Sequence, residues 1–191
     1  MDILYAEIDE LAEVLQNGGT ALLPTDTVWS AVVLLDGSMG FGKLERYLTS
    51  VPGLPWPELL VRDTHQAKRY VTHLHPRLET LWNYHTRPLS ILFDNPANLP
   101  SALLQTDGGA ILRLVTDVFL KRLIEKLDLP LIALPAFTEQ GEVALYFEQI
   151  SGDLKDQMDY IANHQRQGDA PGEISVMVRL SAMEELEFLR E

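Results

Sequence analysis

Gly18-Gly19-Thr20-Ala21-Leu22-Leu23-Pro24-Thr25-Asp26-Thr27-Val28-Trp29-Ser30-Ala31-Val32-Val33-Leu34-Leu35-Asp36 is the stretch around which the chain is organised. Gly18 and Gly19 follow an amphipathic run and read as a helix stop, because glycine takes the positive-φ cap without a Cβ clash. Ala21 to Leu23 then reads as a buried strand ended by Pro24, which has no N–H for a sheet ladder. Val28 to Leu35 is a second apolar, β-branched run. Between them Thr25, Asp26 and Thr27 sit at the mouth of the first strand, where a rigid scaffold can hold polar side chains against a ligand. The same residues also suit a plain β-hairpin turn, with hydroxyls satisfying backbone groups.

The chain of 191 residues fits one domain with a full core, expected to cover residues 1–191. Its 46% hydrophobic and 23% charged residues are ordinary for a globular protein. No apolar run approaches the roughly 20 residues of a membrane span. The start, Met-Asp-Ile-Leu-Tyr-Ala-Glu, has no basic region, so no signal peptide is expected. With no cysteine, disulfides and thiolate metal sites are excluded, which is consistent with a cytoplasmic location. The net charge of −13, from 28 acidic against 15 basic residues, argues against a broad nucleic-acid-binding face, since such faces need Lys and Arg against phosphate.

Leu4, Ile8, Leu11 and Leu15 recur at helical spacing and predict a helix closing at Asn17-Gly18. Gly37 to Gly42 reads as loose, and Phe41 to Leu48 as a short helix. Three prolines in Val51–Pro57 mark a break before a strand over Glu58–Arg62. Asp63-Thr-His-Gln66 matches a capping box and predicts a helix from Thr64 to about Leu74, with a second from Pro76 to Tyr84. Strands follow over Pro88–Phe93 and Ala110–Val115. Asp117 caps a helix carrying Phe119, Leu120, Leu123, Ile124 and Leu127, and Leu129–Leu134 is a strand stopped by Pro135. Residues 139–157 read as helical with Tyr146, Phe147 and Ile150 inward. Strands are expected over Met158–Ala162, Ile174–Leu180 and Leu186–Leu189, with a polar loop at His164–Gly172. This order predicts an α/β fold: a twisted, mixed parallel/antiparallel open sheet flanked by helices.

Gly19 through Ala31 resembles the signature of the YrdC-like family, glycine, small, apolar, apolar, then Pro-Thr-(Asp/Glu)-Thr-Val-Tyr-Gly-Leu. Trp29 stands for the family's tyrosine and Ser30-Ala31 for Gly-Leu. Thr86-Arg87-Pro88-Leu89-Ser90 corresponds to the family's Pro-Gly-Pro-Leu-Thr, and Arg113 to the arginine ending its Val-Ala-Val-Arg strand. Glu173–Val178 corresponds to its Pro-Ser-Thr-Val-Val strand, and Phe188-Leu189-Arg190-Glu191 to its terminal Ile-Leu-Arg-Gly. Two motifs are lost. The family's Lys-x-Arg before a proline falls on Thr49 and Val51 before Pro52, with Lys43 and Arg46 upstream as slipped equivalents. Its Ser-Ala-Asn becomes Pro135-Ala136-Phe137.

The resemblance implies a threonylcarbamoyl-AMP synthase fold, a role in tRNA threonylcarbamoyladenosine modification, and a reaction joining L-threonine, bicarbonate and ATP, with Mg as the nucleotide's metal. Carried over by position, Thr25, Thr27, Ser90, Arg113 and Ser175 would hold the amino acid and Trp29 would form its wall. Arg190, with Lys43 and Arg46, would face the nucleotide. A desolvated triphosphate needs cationic or N–H partners, so losing Lys, Arg, Ser and Asn together predicts weakened or lost ATP-dependent activity beside a retained small-ligand pocket. The alternatives are an active synthase using displaced basic residues, and a non-catalytic RNA-binding or protein-interaction module. Family members are linked to double-stranded RNA, but the charge of this chain predicts weak RNA binding or none. Read from the residues alone, Asp26 is a turn residue, Arg190 sits where chain ends fray, and His73 and His75 share a face only if their segment is a strand.

Overall fold

The computed structural model describes residues 2–35, 40–51, 53–167 and 172–191. Pro52 and part of the Gly37–Gly42 and His164–Gly172 segments lie outside the described residues, as does the side chain of Leu4.

Helix α1 (Asp2–Gln16) buries Ile8, Leu11 and Leu15 and ends where Gly18 adopts φ 75°. A Cβ on Gly19 would lie 2.7 Å from the Val14 carbonyl oxygen, so this close approach of loop to helix admits only glycine. The chain then enters β1 (Ala21–Leu23), turns through the Thr-Asp-Thr segment and returns antiparallel as β2 (Ser30–Leu34). Helix α2 (Gly40–Ser50) precedes β3 (Glu58–Val61), and α3 (Thr64–Ala67) and α4 (Pro76–Tyr84) lead to β4 (Leu89–Phe93). After β5 (Ala110–Leu114), Asp117 caps α5 (Val118–Leu127) by accepting from the Leu120 N–H, and all five predicted apolar residues of that helix are buried. The chain finishes with β6 (Leu131–Pro135), α6 (Gly152–Asp156), β7 (Tyr160–Ile161), β8 (Val176–Leu180) and β9 (Leu186–Arg190).

The described strands form one sheet in the order β7-β1-β2-β6-β3-β5-β4-β8-β9. Three of its pairs are parallel (β1·β7, β3·β5, β4·β8) and the others antiparallel. This is the expected mixed open sheet. Its central strands β2 to β5 are almost wholly buried, as sheets covered by helices must be.

Register decides the site. Residues directly opposite across a ladder project from the same face, and so do residues two apart in a strand. Arg113 on β5 lies opposite Ser90 on β4 and Leu60 on β3. Ser90 lies opposite Met177 on β8, and Met177 opposite Arg190 on β9. Glu58 is two residues before Leu60, and Ser175 two before Met177. Glu58, Ser90, Arg113, Ser175 and Arg190, spread over more than 130 residues of sequence, therefore share one face.

Three expectations about elements need correction. The helix predicted for Thr64–Leu74 stops at Ala67, because Gln66 turns its side-chain oxygen to the Arg62 N–H while the Tyr70–Thr72 backbone bonds to residues 95–97. The 139–157 segment is not one helix: Phe137 bridges to Val143, a single 3-10 turn covers Phe147–Gln149, and Tyr146 is 42% exposed rather than inward. The strand expected over Met158–Ala162 shrinks to Tyr160–Ile161 at the sheet edge, where only β1 is available to pair with it.

Candidate functional site

The Thr25–Thr27 turn is tied to itself. Thr25 Oγ1 donates to the Val28 carbonyl at 2.7 Å, accepts from the Thr27 N–H at 3.1 Å, and lies 2.9 Å from Thr27 Oγ1. Both hydroxyls are buried and spent on the turn. Trp29 is fully buried against Phe147, with ring centroids 4.7 Å apart, and its indole N–H has no partner among the described residues.

Asp26 is far more than the turn residue expected. Its carboxylate pairs with the Arg113 Nη1 and accepts from the Thr116 N–H at 2.8 Å and the Thr116 hydroxyl at 2.9 Å. This clamps the β1–β2 turn to the end of β5. A sequence cannot show that partner, because 87 residues separate the two side chains.

Arg113 is 2% exposed and points inward. On its other side Nε donates to Glu58 Oε2 at 2.7 Å. Glu58 Oε1 accepts from Arg190 Nη2 at 3.1 Å and from Ser175 Oγ at 3.3 Å. Arg190 also donates to Ser175 Oγ at 2.6 Å and to the Ser175 carbonyl at 2.7 Å, so the chain end is tied down instead of frayed. Ser90 Oγ lies 2.6 Å from Ser175 Oγ. Six expected site residues thus enter two clusters: Thr25 and Thr27 in the turn, and Ser90, Arg113, Ser175 and Arg190 around Glu58.

The charges of this network cancel: Arg113 and Arg190 face Asp26 and Glu58. Burial, then the neighbouring Arg190, pulls the Arg113 guanidinium down to about 9, which leaves it cationic at neutral pH. Burial pushes the Glu58 carboxyl up, against the charge of Arg190 and hydrogen bonds from Ser90, Arg190 and Ser175. The space left between Thr27, Ser30, Glu58, Arg113, Pro135 and Arg190 is a cavity of about 10 Å³, at the lower limit for one water molecule. Beside Arg113 and Ser175, where a retained pocket was expected, the structure has only this small cavity, with Glu58 on its wall. Sequence reasoning missed Glu58. Its one signal was a carboxylate opening an otherwise apolar Glu58-Leu-Leu-Val strand.

On the other side of Phe137 lies an open cleft of about 370 Å³, walled by Tyr47 and Phe137, whose rings are 5.6 Å apart. Its polar lining is Thr138, Glu139, Gln140, Ser151, Asp153 and Gln157. No lysine or arginine is among the described residues that line it. Lys43 lies on α2 but bonds Asp159 at 2.7 Å, which holds that carboxyl below its ordinary value, while Asp159 also accepts from Thr20. Arg46 is exposed on the same helix and lines neither cavity. Thr49 returns its hydroxyl to the α2 carbonyls of Glu45 and Arg46, and Val51 contributes only an apolar wall. Arg62 and Arg87 pair with Asp63 and Glu173. The donors expected for a polyphosphate and its Mg do not come together, and the two carboxylates in the cleft oppose one. ATP does not fit this set of residues.

His73 and His75 meet edge to face at 6.2 Å without any strand, since His75 is drawn in to cap α4 through the Arg77 N–H. Among the described residues no group of three or more His, Cys, Asp or Glu is arranged to hold a metal ion. No helix among them is long and apolar enough to cross a membrane. Among the described residues a cavity of about 630 Å³ lies between α4 and β9 beside Tyr84 and Leu186, and no residue of the two clusters lines it.

No curated protein matches the chain in sequence. Among solved structures, E. coli YciO aligns at 18% identity with a TM-score of 0.78, covering 96% of this chain and 88% of YciO. P. abyssi Sua5 complexed with L-threonine aligns at 15% identity with a TM-score of 0.78 over 96% of this chain, but this chain spans only 53% of that protein. Full-length HypF in its phosphate- and nucleotide-bound form aligns at 16% identity with a TM-score of 0.76, over 96% of this chain and 28% of HypF. At these identities the likeness concerns the fold. The Sua5/YciO/YrdC family model, described as "Telomere recombination", matches residues 13–191, and the chain belongs to that family.

Proposed function

We propose that this chain is a single-domain, cytoplasmic member of the family that no longer forms threonylcarbamoyl-AMP and instead acts as a binding domain. The observation that carries this reading is the lining of the cleft beside Phe137, which has Glu139 and Asp153 and no described cation. A polyphosphate entering such a cleft would give up hydration without charge-assisted partners and would meet like charge. Each missing buried cation is worth roughly 2–5 kcal/mol to an anionic ligand. The ligand that suits the cleft is neutral or cationic, small, and able to lie against the Tyr47 and Phe137 rings. Any link to tRNA modification would then be indirect, and the net charge of −13 argues against RNA as the partner.

Calorimetric titration of the protein with ATP·Mg, alongside a pyrophosphate-release assay with L-threonine and bicarbonate, tests this. We expect ATP binding weaker than about 1 mM and no release. Micromolar ATP binding or turnover would restore the synthase reading, with Lys43 and Arg46 swinging into the cleft. Retention of double-stranded RNA at moderate salt would favour the RNA-binding alternative.

A further inference from the structure

We propose that Glu58 is a built-in occupant of a carboxylate-binding cradle formed by Arg113, Arg190, Ser90 and Ser175, and that it keeps external carboxylates out of this site. The cradle draws donors from β5, from β9 and from the residue before β8, and Arg113, Arg190 and Ser175 converge on one carboxyl group. Arg113 Nε reaches one Glu58 oxygen at 2.7 Å, while Arg190 Nη2 and Ser175 Oγ reach the other at 3.1 and 3.3 Å. Ser90 supports Ser175 at 2.6 Å. Guanidinium groups and hydroxyls ranged about both oxygens are the chemistry that recognises a carboxylate.

Asp26 plays a different part. It takes Arg113 Nη1 and the two Thr116 donors, which pins the turn and leaves the remaining Arg113 donors for Glu58. With Asp26 in place and Glu58 removed, the two arginines would hold one uncompensated positive charge. That surplus is what a free carboxylate would meet if Glu58 were absent. The cavity of about 10 Å³ shows that Glu58 leaves no room for one.

The geometry supplies its own probe. Replacing Glu58 by alanine removes a methylene and a carboxylate, and acetate has the same heavy atoms in the same arrangement. Wild type, Glu58→Ala, Glu58→Thr (which suits a strand) and Glu58→Gln would be melted at pH 7 in sodium acetate and in sodium chloride of equal ionic strength. For Glu58→Ala the melting temperature should rise in acetate and saturate in the millimolar range, at least tenfold tighter than any effect on wild type, whereas Glu58→Thr, whose two γ atoms occupy the place of the acetate methyl, should respond less. Wild type and Glu58→Gln, which keep the space filled, should melt alike in both salts. Coincident acetate and chloride curves for the alanine variant would overturn the proposal, as would an equal acetate effect on wild type. If that variant does not fold in chloride, acetate must restore folding by circular dichroism, and failure to restore it also overturns the proposal. The inference rests on the non-synthase reading, yet the two fail separately. ATP binding or turnover by wild type defeats that reading, whereas indifference of the Glu58 variants to acetate defeats this one.

Discussion

The surroundings of Arg113 and the cleft beside Phe137 are opposites in charge and in space. Around Arg113 two arginines are paired within the fold, and Glu58 lies between them beside a cavity of only about 10 Å³. Beside Phe137 there is open space lined by Glu139 and Asp153, with no lysine or arginine among the described lining residues. The difference teaches that keeping a residue type does not keep its role: Arg113 is present, but its charge is already spent within the fold.

That contrast can be broken or sharpened by substitution. The largest effect should follow Arg113→Ala, which leaves Asp26 as a buried charge without a cation and Glu58 with Arg190 alone. Loss of one partner from such a network costs about 3–5 kcal/mol, even where the intact network adds little net stability. Urea denaturation should report that loss, with a melting temperature lower by roughly 10 °C. A change under about 1 kcal/mol would mean that the network is open to water.

A smaller effect is expected on the open side. The double variant Val51→Arg, Phe137→Asn supplies one cation and one amide to the cleft and should tighten ATP·Mg binding by about tenfold in calorimetry. If the affinity does not change, the cleft is not the nucleotide half at all. The smallest effect belongs to Lys43→Ala. The Lys43–Asp159 pair is partly exposed, so its loss should cost at most about 1 kcal/mol. Asp159 is held below its ordinary value of 3.8, first by the Lys43 hydrogen bond. The pair's contribution is therefore present above pH 3.8 and fades as pH falls through the lower folded value. Denaturation curves of wild type and Lys43→Ala should differ at pH 6 and converge in acid.

Elements whose stability is local were legible in the sequence. The Asp117 cap and the apolar stripe of α5, the glycine stop after α1, and Pro76 opening α4 all appear where the spacing placed them. Elements that depend on distant backbone were not. The Thr64–Leu74 helix gave way to pairing with residues 95–97, and the helical reading of 139–157 gave way to the Phe137–Val143 bridge. The site divides the same way. Arg113, Ser90 and Ser175 were singled out because each stands in a matching motif, and the structure brings them together; the parts of Asp26 and Glu58 in the same network were not legible because their partners lie far along the chain.

By itself the sequence determined the family, the mixed open sheet, and the absence of the cations that would hold a polyphosphate at the expected positions. Those are matters of residue type, order and periodicity, which a linear chain carries directly. Only the tertiary structure decided that the arginines are already neutralised and that the space between them is full. Charge compensation and cavity volume depend on distances across the sheet, and strand register sets those distances between residues far apart in the chain.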